Sequence, residues 1–109
     1  MTSSYMQATL TRHHWLALKR RRLHGDVVWL SEEGLTLVSE GRLPVGACVH
    51  ITLQTQEHSL NGVPAQIVRA EPGMNGTRYS LRFHKQRVID QGGTVTLRLL
   101  SYLAQNFKQ

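Results

Sequence analysis

The chain of 109 residues holds a single cysteine, Cys48, so no disulfide can form within it. With no recognised nucleophile signature around it, Cys48 reads as a structural strand residue. Long apolar runs are missing too, and nothing approaches the ~20 residues that cross a membrane. Met1 to Leu10 is polar and mixed, without the apolar centre of a secretory leader. These absences lead to the expectation of a cytoplasmic protein with no membrane span. Acidic residues are few, 7 against 13 lysines and arginines, for a net charge of +6. Such a balance favours anionic partners: nucleotides, nucleic acid or acidic protein surfaces. The six histidines (His13, His14, His24, His50, His58 and His84) adopt no zinc spacing and have no cysteine partners. Paired carboxylates, a phosphate-cradling glycine loop and a nucleophile motif are all absent. The expectation is therefore no catalytic residue, no metal ligand and no cofactor: a protein that binds rather than catalyses.

What is present is period-two alternation, the mark of half-buried strands. Ala47, Val49, Ile51 and Leu53 alternate with Cys48, His50 and Thr52. Val63, Ala65 and Ile67 alternate with Pro64 and Gln66, and Tyr79, Leu81 and Phe83 with Arg78, Ser80 and Arg82. Val27 and Trp29 share one face, as do Leu35 and Leu37. Turn signals separate these runs at His24-Gly25-Asp26, Glu32-Glu33-Gly34, Glu40-Gly41-Arg42, Pro44-Val45-Gly46, Leu60-Asn61-Gly62 and Glu71 to Gly76. Short strands at this spacing predict an all-β fold, a small antiparallel barrel or a sandwich. Behind Gly92-Gly93, Leu99, Leu100, Leu103 and Phe107 fall at helical spacing. They predict a C-terminal α-helix from about Thr94, its N-cap, to Phe107. Its apolar face packs on the barrel or on a second subunit, which would make a homo-oligomer.

Several features carry two readings each. The run Lys19-Arg20-Arg21-Arg22 is a solvated hairpin or an anion-binding patch. Alternation from Leu16 and Leu18 would turn two of its arginines inward, which a dry core does not accept. Trp29 follows Val27 and is assigned to the core or an interface, with stacking on a purine as the alternative. Trp15 is assigned to packing at the barrel base, with ligand stacking as its alternative. Arg78 and Arg82, at Arg-x-x-x-Arg spacing, share a strand face with Ser80, about 13 Å apart end to end; they are assigned to a solvated strand face, with an arginine clamp on a ligand as the alternative.

Taken in order, the strands resemble a known family. Trp29-Leu30-Ser31-Glu32-Glu33-Gly34-Leu35 resembles the PilZ signature: Asp or Asn, any residue, Ser, two of any, Gly. Leu43-Pro44-Val45-Gly46 resembles the Leu-x-x-Gly that opens that family's next strand. Ala65 to Pro72 is similar to its outbound hairpin strand, and Arg78-Tyr79-Ser80-Leu81-Arg82-Phe83 to its return strand. The resemblance covers roughly Arg12 to Phe83. It implies a PilZ-like barrel over 12–109, with its C-terminal helix, behind an N-terminal extension at 1–11.

The resemblance also implies a ligand, cyclic di-GMP, held in that family between an N-terminal Arg-x-x-x-Arg element and the Asp/Asn-x-Ser-x-x-Gly element. Carried over residue by residue, it assigns ligand-binding roles to Arg12, Ser31 and Gly34. Arg20, Arg21 and Arg22, in the neighbouring first hairpin, are candidates to replace a lost arginine. Two family positions depart: Leu16 stands where the second arginine belongs, and Trp29 where Asp or Asn belongs. Each lost contact costs ~1–3 kcal/mol. The expectation is a signalling or adaptor domain in which cyclic di-GMP binding is weak or lost and protein contacts carry the function. The alternative is a basic β-barrel that binds RNA or DNA.

Overall fold

The computed structural model describes residues 6–13 and 20–107, with side chains at 6–12 and 22–107. Six strands precede two helices: β1 (Gln7–His13), β2 (Arg20–Leu30), β3 (Gly34–Ser39), β4 (Cys48–Gln54), β5 (Ser59–Gly73), β6 (Gly76–Phe83), α1 (Lys85–Asp90) and α2 (Thr94–Asn106). Every pairing is antiparallel, and the order β1-β2-β3-β6-β5-β4 closes into a barrel. The two long strands turn the corners. β2 pairs with β1 up to Asp26 and with β3 beyond it; β5 pairs with β4 up to Gln66 and with β6 from Ala65.

Alternation places the core where the pattern predicts it. Leu35 and Leu37, Val49, Ile51 and Leu53, Val63, Ala65 and Ile67, and Tyr79, Leu81 and Phe83 all point inward and are buried. Tyr79 carries the one phenol there. Its hydroxyl donates to the Gly41 carbonyl (2.9 Å) and accepts from the Leu43 amide (3.2 Å), pinning the β3–β4 loop to the barrel. Both helices pack on β5. Leu100 and Leu103 of α2 and Val88 of α1 join the same buried cluster.

Five expectations change. β1 begins at Gln7, and Ala8 and Leu10 are fully buried between β2 and β4. Residues 7–11 therefore belong to the barrel, not to an extension; with only two apolar side chains, the strand resembles a polar tail in sequence. His24-Gly25-Asp26 is not a turn but the middle of β2, where the strand changes partners. Leu60-Asn61-Gly62 is a bulge inside β5: Ile51 faces Val63 and Leu53 faces Leu60, with Gly62 at φ +71°. The reversal falls at Thr55–His58 instead, where the Thr55 hydroxyl accepts from the amides of Glu57 and His58. The N-cap of α2 is Gly93, without a side-chain cap, and Thr94 is the first helical residue.

The fifth concerns Trp29. A register shift between Val27 and Trp29 inserts one extra residue into β2. Val27 and Leu30 then both point inward, and the indole turns out to 50% exposure. No core role survives for it. α1 was not anticipated from the sequence. No helix among the described residues is long and apolar enough to cross a membrane.

Candidate functional site

The Ser-x-x-Gly half of the signature is built into the β2–β3 turn. The Ser31 hydroxyl accepts from the amides of Glu33 (3.2 Å) and Gly34 (3.3 Å) and donates to the Gly34 carbonyl (3.3 Å). The Ser31 amide also donates to that carbonyl, at 2.9 Å. Gly34 is buried, and a Cβ there would overlap the Leu81 carbonyl oxygen of β6. The turn is tied down further by the Phe83 amide on the Glu33 carbonyl (2.9 Å) and by Lys85 Nζ on Glu33 Oε2 (3.0 Å). Both signature residues therefore serve the backbone, and Trp29 is the signature side chain turned to solvent.

The arginines lie elsewhere. Arg12 sits near the end of β1, its backbone opposite Arg21, while Thr11 faces Arg22 and His13 faces Arg20. Arg22 is exposed and Arg12 half-buried. From Arg22 to Ser31 the chain runs nine residues along β2, about 30 Å at the rise of an extended strand. Arg12, Arg20, Arg21 and Arg22 thus mark one end of β2, and Ser31 and Gly34 the other. The composite site expected from sequence is not brought together; it joined residues by motif order, and a long strand separates them. The readings of Trp15, Leu16, Leu18 and Lys19, and of the Arg20 and Arg21 side chains, fall outside the described residues.

A shallow cleft of about 610 Å³ lies beside Arg22, lined also by Thr9, His24, Asp26, Glu40 and Asn75. Thr9 Oγ1 and His24 Nδ1 are 2.9 Å apart on its floor. It contains none of Trp29, Ser31 and Gly34. Two carboxylates beside one arginine suit it poorly to a doubly charged phosphate ligand.

What does surround Trp29 is the outer face of β2, β3, β6 and β5. The register sets Trp29 beside Thr36, Thr36 beside Ser80, and Ser80 beside Arg69. The hydroxyls of Thr36 and Ser80 meet at 3.5 Å. Arg78 and Arg82 flank Ser80 along β6, both exposed, because Tyr79, Leu81 and Phe83 take the inner positions. Arg69 pairs with Glu71 at 3.0 Å. The sequence offered Arg78, Ser80 and Arg82 as one strand face; Thr36 and Arg69 were missed, because alternation gives each strand its two faces but not which strands are neighbours.

A family model described as PilZ domain matches residues 15–100, starting just after Arg12. No curated protein matches the chain in sequence.

Proposed function

The chain belongs to the PilZ domain family, whose members serve as cyclic di-GMP-binding signalling and adaptor domains, and on that premise we propose that it is an adaptor in which the nucleotide is held weakly or not at all and protein contacts carry the output. One observation carries this reading: an outward indole, Trp29, occupies the position where the family has a carboxylate or amide. Indole has no acceptor to pair with a guanine edge. Among the described side chains, Arg12 does not lie near it to compensate, being on β1 opposite the far end of β2. The dissociation constant for cyclic di-GMP lies above ~1 μM, or roughly −8 kcal/mol. Calorimetric titration with cyclic di-GMP tests this, and submicromolar binding by the natural sequence refutes it. Binding without catalysis accords with the family and with the lack of any nucleophile motif.

A second reading, a barrel that binds RNA or DNA, is favoured by a separate observation. The backbones of Arg12, Arg20, Arg21 and Arg22 are gathered at one end of the paired strands β1 and β2, four basic positions of the kind that phosphates attract. Nucleic-acid binding there would weaken steeply with salt, and gel shifts across a salt series test it.

A further inference from the structure

We infer that the outer face around Trp29 docks an acidic protein segment, with the indole as the apolar anchor and Arg78 and Arg82 as the carboxylate receptors. This rests on the reading that protein contacts carry the output, and it names the surface and the chemistry of the partner.

The row Trp29, Thr36, Ser80, Arg69 crosses four neighbouring strands, about 14 Å at the usual strand spacing. Arg82 and Arg78 stand one pleat to either side, each about 7 Å from Ser80 along β6. Beyond the row, the shift between Ile67 and Arg69 pushes Val68 out of the pairing to 43% exposure. A half-exposed indole and an exposed valine leave apolar area in water, on a surface that is otherwise mainly hydroxyls and charged side chains.

Charge selects the partner. The acidic groups on or beside this face are Glu71, opposite Arg78 in register but ion-paired with Arg69, Asp26, which shares a row with Val38 and Arg78, and Glu32 and Glu33 in the turn next to Arg82, Glu33 being paired with Lys85. Neither Arg78 nor Arg82 has an ion-pair partner among the described residues. Two guanidiniums without an ion pair among the described residues, beside a tryptophan, have the composition of an interface hot spot, and they grip carboxylates bidentately. Nucleic acid fits less well. A strand of bases needs successive stacking surfaces, but Tyr79 and Phe83 face the interior, leaving one aromatic on the face among the described residues.

Random-peptide display against the immobilised full chain tests the inference. Enriched peptides are expected to place Asp or Glu beside an aromatic or aliphatic residue. Synthetic copies should lose affinity about tenfold with Trp29→Ala and, separately, with Arg82→Glu. Arg98→Glu, on α2, should leave them bound. All three positions are exposed, and melting curves verify that the variants fold. Peptides without acidic residues, peptides indifferent to Trp29→Ala and Arg82→Glu, or no enrichment overturn the inference. If selected peptides respond only to Arg98→Glu, docking lies elsewhere and the protein-contact reading stands without this surface. No enrichment together with submicromolar cyclic di-GMP binding overturns both. An oligothymidylate that binds at physiological salt and is released by Arg82→Glu gives the face to nucleic acid, and equally overturns it.

Discussion

Gly34 backs directly onto the Leu81 carbonyl: a Cβ at position 34 would overlap that oxygen and lie 3.0 Å from its carbon. The glycine of the signature is thus a packing requirement between β3 and β6. Gly34→Ala is expected to destabilise the fold by ~3 kcal/mol, the upper range for overpacking a closed interior. A denaturant melt measures it, and a shift under ~1 kcal/mol would show that β6 yields.

Ser31→Ala removes the hydroxyl that gathers two amides in the β2–β3 turn. The expected loss is ~1 kcal/mol, since the freed Glu33 amide is exposed to water while that of Gly34 is left in a buried residue. The same melt reads it. The selected peptides should keep their affinity, because this hydroxyl is spent within the turn.

Trp29→Asp returns a carboxylate to the family's position. Because the indole is half in solvent, the variant is expected to fold, with stability changed by no more than ~1 kcal/mol. Cyclic di-GMP binding should strengthen about tenfold, the worth of one polar base contact. Calorimetry checks the gain and thermal melting the fold; an unfolded variant would place the indole in the core after all.

Among arginine changes, position decides. Arg12→Ala and Arg22→Ala should leave any residual cyclic di-GMP binding unchanged, because they lie about 30 Å along β2 from the signature turn. Arg82→Ala should abolish it, its backbone being opposite Gly34. Parallel titrations of the three variants settle the order, and a loss confined to Arg12→Ala would move the site to the first hairpin.

Leu103 is 6% exposed within a single chain, so α2 closes the monomer core at this position. Leu103→Asp buries a carboxylate and is expected to cost more than ~3 kcal/mol. Size-exclusion chromatography with a melting curve should show loss of folded monomer. A folded, smaller species would mean that Leu103 holds an interface between copies.

The barrel was legible because most strands keep strict alternation; Val49, Ile51 and Leu53 declare their inner face without reference to any neighbour. Legibility failed where pairing overrides local preference. Asn61-Gly62 has the chemistry of a turn, yet β4 continues alongside and makes it a bulge. β1 presents Gln7, Thr9 and Thr11 outward, and so reads as a polar tail until β4 is placed beside it. α1, Lys85–Asp90, is too short for helical periodicity to register. In the site, Ser31 and Gly34 were found by motif, but no spacing rule reports that Arg12, on β1, is paired with the end of β2 remote from Ser31.

The extra residue that turns Trp29 outward makes chain length a variable in this barrel. Val27 faces Leu37, Trp29 faces Thr36 and Leu30 faces Leu35, so Val28 is the peptide unit without an opposite number. A chain lacking Val28 would keep the same three pairings, the same inward leucines and the same outward indole, with only the local twist relaxed. In a regularly paired stretch of a barrel strand a one-residue deletion exchanges the inside for the outside. At this point it would pass almost unnoticed, so relatives can differ in length here while presenting the same face.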